Sequence, residues 1–172
     1  MYYADLGTTC QVASGPRVRA VGWLAAGHDF ARGPLDERVA KITERLASEG
    51  WMHVVSCGPH LCEFCQGARN ASNLLVPGDD VLYVAPAMIA HYMRAHGYLP
   101  PVEFRESVLR CPEPSSDAYF AALRRFVDAF SPPGSKMTES AFDRCVVRHR
   151  AGVAERAAKA AAAATRKGFT WD

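Results

Sequence analysis

Three cysteines and a histidine fall within nine residues, Cys57-Gly58-Pro59-His60-Leu61-Cys62-Glu63-Phe64-Cys65. A Cys-x-x-Cys turn such as Cys62–Cys65 can bring two thiolates to one tetrahedral centre, because Zn²⁺ takes sulfur at ~2.3 Å and imidazole nitrogen at ~2.0 Å. Cys57 and His60 lie close enough in sequence to add a third ligand and a fourth. His91, further along, is a candidate if Cys57 or His60 does not serve. The expected site is one Zn²⁺ held by three or four of Cys57, His60, Cys62, Cys65 and His91. Chance clustering of buried cysteines is the bland alternative.

Rival chemistries use the same residues. Cys57-x4-Cys62-x2-Cys65 is also the plant-type ferredoxin spacing, which needs one further cysteine for a [2Fe–2S] cluster. The next one, Cys111, lies 46 positions beyond Cys65. Thiol exchange between Cys62 and Cys65 is a third possibility. A small zinc-dependent hydrolase would need an open metal position, with His28 or Glu63 carrying the proton. His28-Asp29 follows an apolar strand end, where a turn is the favoured explanation. Neither a Gly-x-Gly-x-x-Gly nor a Walker loop occurs, nor a His-Glu-x-x-His or a serine elbow. The preferred reading is a non-catalytic, zinc-stabilised interaction or accessory protein.

Several elements must position this loop. Thr8-Thr9-Cys10-Gln11-Val12 and residues 17–24 read as strands around Ser14-Gly15-Pro16. Gly33-Pro34 opens a helix in which Leu35, Val39, Ile42 and Leu46 share one face, and Gly50 can supply a left-handed cap. Residues 51–56 read as a short strand leading into the cysteines. Asn73-Leu74-Leu75-Val76 and Val81-Leu82-Tyr83-Val84 bracket Pro77-Gly78-Asp79-Asp80 as a hairpin. A helix follows from about Pro86 to His96, stopped by Gly97. The order of knuckle, hairpin and helix resembles a treble-clef zinc module, whose second ligand pair usually comes from the start of that helix; here that pair reads as absent, with only His91 available. At 100° per residue, Ile89, Tyr92, Met93 and His96 share a face and His91 points roughly opposite, so His96 reads as a core or cap histidine.

Pro100-Pro101 starts a short helix with Phe104 and Val108. Ser115 or Ser116 caps the next, whose apolar stripe runs from Tyr119 to Phe130. Ser131-Pro132-Pro133-Gly134 breaks it. The fold class expected is α+β: a small N-terminal sheet, a treble-clef-like cysteine loop with its hairpin, and a helical C-terminal half.

With 172 residues the chain suits one domain, and 49% hydrophobic with 22% charged residues is ordinary for a folded protein. The net charge of +2 is too small to imply nucleic acid or a membrane surface. No signal-like or membrane-spanning run is visible, so a cytoplasmic setting with reduced cysteines is expected. Residues 131–172 differ from the rest, with eight basic against four acidic residues and an Ala-rich run. They read as a basic helical extension of a domain spanning 1–130. Such a helix would dock on a protein partner or a second copy of the chain.

The joint pattern Gly22-Trp23-Leu24, Gly27-His28-x-Phe30, His60-x-Cys62-Glu63-x-Cys65, Tyr83-x-Ala85-Pro86, Ile89-x-His91-Tyr92 and His96-Gly97-Tyr98-x-Pro100-Pro101 resembles a family of small uncharacterised bacterial proteins over roughly residues 1–110. The resemblance implies no activity. It favours His60, Cys62 and Cys65 as a shared ligand core.

Overall fold

The computed structural model describes residues 1–51, 58–65, 67–129 and 137–167, with side chains at 160, 161 and 163–167 left aside. Its architecture is α+β, with small sheets toward the N-terminus and helices dominating the C-terminal half. The expected strand at 51–56, Cys57, Phe130 and the Ser131-Pro132-Pro133-Gly134 break lie wholly or mostly outside the described residues.

The central sheet holds three strands in the order β3 (Val18–Ala20), β7 (Leu82–Pro86), β6 (Asn73–Pro77). The expected hairpin is β6–β7, antiparallel with Leu75 opposite Val84. Val76 and Val84 are fully buried, so the sheet centre is the centre of the core. β3 joins β7 in parallel, pairing Arg19 with Tyr83. The N-terminal strands are shorter than their β-branched content suggests. β1 (Thr9–Cys10) and β2 (Ala13–Ser14) make a tiny hairpin of their own, and β3 stops at Ala20.

Gly22 accounts for that stop. Its φ of +71° leaves the extended region, and a Cβ there would fall 2.8 Å from Ile89 Cγ1. Only glycine fits both the backbone and the close approach. Gly22→Ala is therefore expected to cost about 2 kcal/mol, the scale of a side chain forced into left-handed backbone. A thermal melt of the variant checks this, since Ile89 opens the helix that carries two histidines of the candidate site.

Five helices surround the sheet among the described residues: α1 (Glu37–Glu49), α2 (Ile89–His96), α3 (Val102–Arg110), α4 (Asp117–Arg124) and α5 (Glu139–Lys167). α1 begins later than Gly33-Pro34 implies, because the Asp36 carboxylate accepts from Arg38 N at 2.8 Å and caps the helix. Gly50 is extended (φ −64°) rather than left-handed. Gly97 does take the left-handed cap, at φ +65°, with its N–H donating to the Tyr92 carbonyl. Ser116 caps α4 by accepting from Tyr119 N at 3.1 Å. Pro86 ends β7 instead of opening α2, which starts three residues later.

Buried polar groups tie these layers together. Trp23 donates to the Val84 carbonyl at 3.0 Å and Tyr119 to the Leu75 carbonyl at 2.9 Å. Asp5 accepts from Gly22 N at 2.9 Å and from the Tyr98 hydroxyl at 2.8 Å, fastening the N-terminal segment to the residue after Gly97. Burial raises the Asp5 carboxyl above its usual range despite these two donors.

The opening turns of α5 are core. Phe142 is fully buried and meets Trp51 edge-on at 5.3 Å, and Val146 is buried beside it. His149 Nε2 lies 2.7 Å from Ser115 Oγ, and Arg150 reaches Asp117 at 2.5 Å. From Ala151 to Lys159 the described side chains are exposed apart from half-buried Gly152 and Val153. Among the described residues, no helix is long and apolar enough to cross a membrane.

Candidate metal centre

Cys62 and Cys65 sit on the loop between β4 (His60–Leu61) and β5 (Arg69–Asn70). The two short strands pair antiparallel, and Cys62 N donates to the Ala68 carbonyl at 2.9 Å, which closes the loop into a knuckle. α2 lies alongside and supplies His91 and His96. One ligand atom from each of Cys62, Cys65, His91 and His96 lies within 4.8 Å of all the others. The group could hold a metal ion.

The individual spacings sharpen this. Cys62 Sγ to His96 Nε2 is 3.3 Å, Cys65 Sγ to His91 Nε2 is 3.4 Å, and the two Nε2 atoms are 3.2 Å apart. Ligands of a tetrahedral Zn²⁺ with standard bond lengths stand about 3.6 Å apart for sulfur–nitrogen and about 3.3 Å for nitrogen–nitrogen. These three edges match within a few tenths of an ångström, and the other three stay within 4.8 Å. Burial also lowers the His91 pKa, favouring the neutral imidazole that a metal requires.

Among the residues singled out in the sequence, the structure brings Cys62, Cys65 and His91 together. Cys57 lies outside the described residues. His60 is not part of the group: its Nε2 faces the Tyr92 hydroxyl at 3.1 Å, and its ring also bonds the Leu24 backbone. Burial pushes the Tyr92 phenol well above its usual range, so the hydroxyl stays protonated beside the His60 ring. Through these two contacts His60 braces the knuckle against α2 and the β3 exit.

His96 takes the place the helical wheel denied it. Residues five apart on a helix differ by about 140° and rise about 7.5 Å, so their Cβ atoms diverge. The knuckle rests across the helix between them, and both imidazoles lean inward until their Nε2 atoms meet. A signal existed in the His91-x4-His96 pair, on the helix after a hairpin, where a treble-clef arrangement needs its second pair.

Surroundings divide the site into two sides. Cys62 is fully buried and Phe64 packs at 5.3 Å from the His96 ring and 5.8 Å from Tyr92, while Cys65 is exposed. The two residues weighed as proton carriers are engaged elsewhere. His28 stacks on Tyr2 at 3.7 Å, and Glu63 accepts from Ala26 N at 2.9 Å. That backbone donor holds the Glu63 carboxyl below its usual range, in the ionised form.

A family model described as a domain of unknown function (DUF7919) matches residues 1–109, a span that contains all four clustered side chains. No curated protein and no solved structure matches the chain.

Proposed function

Starting from a chain that belongs to the uncharacterised DUF7919 family, we propose that Cys62, Cys65, His91 and His96 bind one structural Zn²⁺ in a non-catalytic accessory protein that works by binding another protein. The observation that supports the reading is a group of four side chains able to ligate a metal, three of whose six spacings are close to those of a tetrahedral zinc. Catalytic zinc sites keep a position for water, whereas structural ones fill all four with protein. Two thiolates and two neutral imidazoles balance the charge of Zn²⁺, which suits a half-buried site. The same compactness argues against a binuclear iron–sulfur cluster, whose ligands spread over two metals.

The metal would staple the knuckle to α2, two elements joined otherwise by small aromatic and hydrogen-bond contacts. For the partner we propose a second copy of the chain, docked by the exposed part of α5. Residues 131–172 carry a basic excess, and the first 130 residues carry an acidic one. An exposed Ala-rich helix gains stability by packing on something, because isolated helices are marginal in water.

Elemental analysis tests the metal, and Co²⁺ substitution tests its coordination. One zinc per chain is expected, with a tetrahedral S₂N₂ cobalt spectrum that added azide leaves unchanged. Zinc near zero, iron with visible absorbance, or a spectrum that shifts with azide would overturn the structural reading.

A further inference from the structure

The four ligands are not equivalent toward solvent. Cys62 is sealed in the core, and Cys65 is open to water on the outer side beside His91. We propose that this pair is a redox latch: a peroxide-class oxidant converts Cys62 and Cys65 to a disulfide, which expels the metal and unlinks the knuckle from α2. The proposal rests on the zinc reading and adds its regulation.

The chemistry balances without any further reactant. The exposed Cys65 thiolate attacks one peroxide oxygen, giving a sulfenic acid on Cys65 and releasing hydroxide. The Cys62 thiolate then attacks Cys65 Sγ, forming the S–S bond and releasing the second hydroxide. The dithiolate loses two electrons, and hydrogen peroxide gains them. Because two of four ligands become neutral disulfide sulfurs, Zn²⁺ passes to water.

Geometry favours this pair among the described cysteines. The two Sγ atoms already lie within 4.8 Å of each other, on a loop of the length that closes Cys-x-x-Cys disulfides. Cys10 is buried in the core, and burial with Glu113 nearby pushes the Cys111 thiol up to about 12, where the reactive thiolate is scarce. The disulfide would satisfy only the loop. What then holds the knuckle to α2 is Phe64 against Tyr92 and His96, with the His60–Tyr92 hydrogen bond. Opening and closing the latch would alter the face that the knuckle and α2 present together.

The test uses the full chain, after its zinc content is measured. Hydrogen peroxide is titrated in the presence of a chromogenic zinc chelator, and the products are mapped by peptide mass. The expected result is one zinc released per peroxide consumed, with loss of two hydrogens across Cys62 and Cys65, reversed by dithiothreitol and zinc. Cys65→His leaves Cys62 without its partner thiol, so whatever zinc that variant holds should be released by peroxide at least tenfold more slowly. Cys111→Ser, away from the cluster, should change neither zinc content nor release rate. Protein isolated without zinc defeats the structural-zinc reading itself. Zinc that stays bound with Cys62 and Cys65 still alkylatable on denaturation defeats the latch alone, as does a disulfide to Cys57 or oxygen retained on Cys65.

Discussion

Cys62→Ser is expected to abolish zinc retention and to lower Tm by about 10 °C. The buried Sγ is both a proposed ligand and part of the core, so in that reading the serine hydroxyl replaces a strong metal donor with a weak one at a fully enclosed position. Apparent zinc-binding energies in small structural sites reach about 10–16 kcal/mol. Only a fraction of that appears here as global stability, because the β3–β7–β6 sheet and its helices form a core of their own. A global loss of about 3 kcal/mol, at roughly 2–4 °C per kcal/mol for a chain of this size, gives the expected shift. Chelator added to the wild type should reproduce the variant's melting curve. His60→Ala removes a brace and no ligand, so it should retain one zinc and cost about 1 kcal/mol. Coincident melts of metal-loaded and chelated wild type would refute a structural role for the metal.

What could be read in the sequence was what is local in it. Cys62 and Cys65 are three residues apart, the β6–β7 hairpin is joined by a tight turn, and Gly97 and Ser116 mark helix ends, the first through its left-handed backbone and the second through its side-chain oxygen. His96 was hidden because its partner atoms come from a loop some thirty residues earlier, and the helical wheel describes Cβ directions rather than where long side chains converge. The parallel pairing of β3 with β7 was equally illegible, since nothing local in Val18-Arg19-Ala20 selects Leu82-Tyr83-Val84 over another strand. The early end of β3 shows a different limit. The segment from Arg17 to Leu24 reads as one strand, but Gly22 turns the chain so that Ile89 can pack against it.

The basic C-terminal segment shows how a thin apolar stripe can still be core. Two of its described apolar residues, Phe142 and Val146, fall in the first turns of α5, where Trp51 and Phe120 offer an aromatic wall. Phe142 is the centre of that contact: fully buried, edge-on to Trp51, and covered on the outside by the Arg124 guanidinium at 5.1 Å from its ring. Truncating a buried phenylalanine to alanine costs about 3–5 kcal/mol through lost burial and the cavity left behind. Phe142→Ala should therefore lower Tm by about 10 °C with zinc content unchanged, because the contact is separate from the metal cluster. Val147, 70% exposed on the same helix, serves as the internal comparison; Val147→Ala should stay within about 0.5 kcal/mol of wild type. Removal of residues 151–172 should likewise leave Tm nearly unchanged, since the described side chains there bury little. In sedimentation experiments that truncation should shift the mass from dimer to monomer, as the proposed docking of α5 requires. A truncated chain that melts early would place the outer half of α5 in the core. An unchanged mass would dismiss it as the docking element, and a silent Phe142→Ala would deny its inner half the structural weight assigned here.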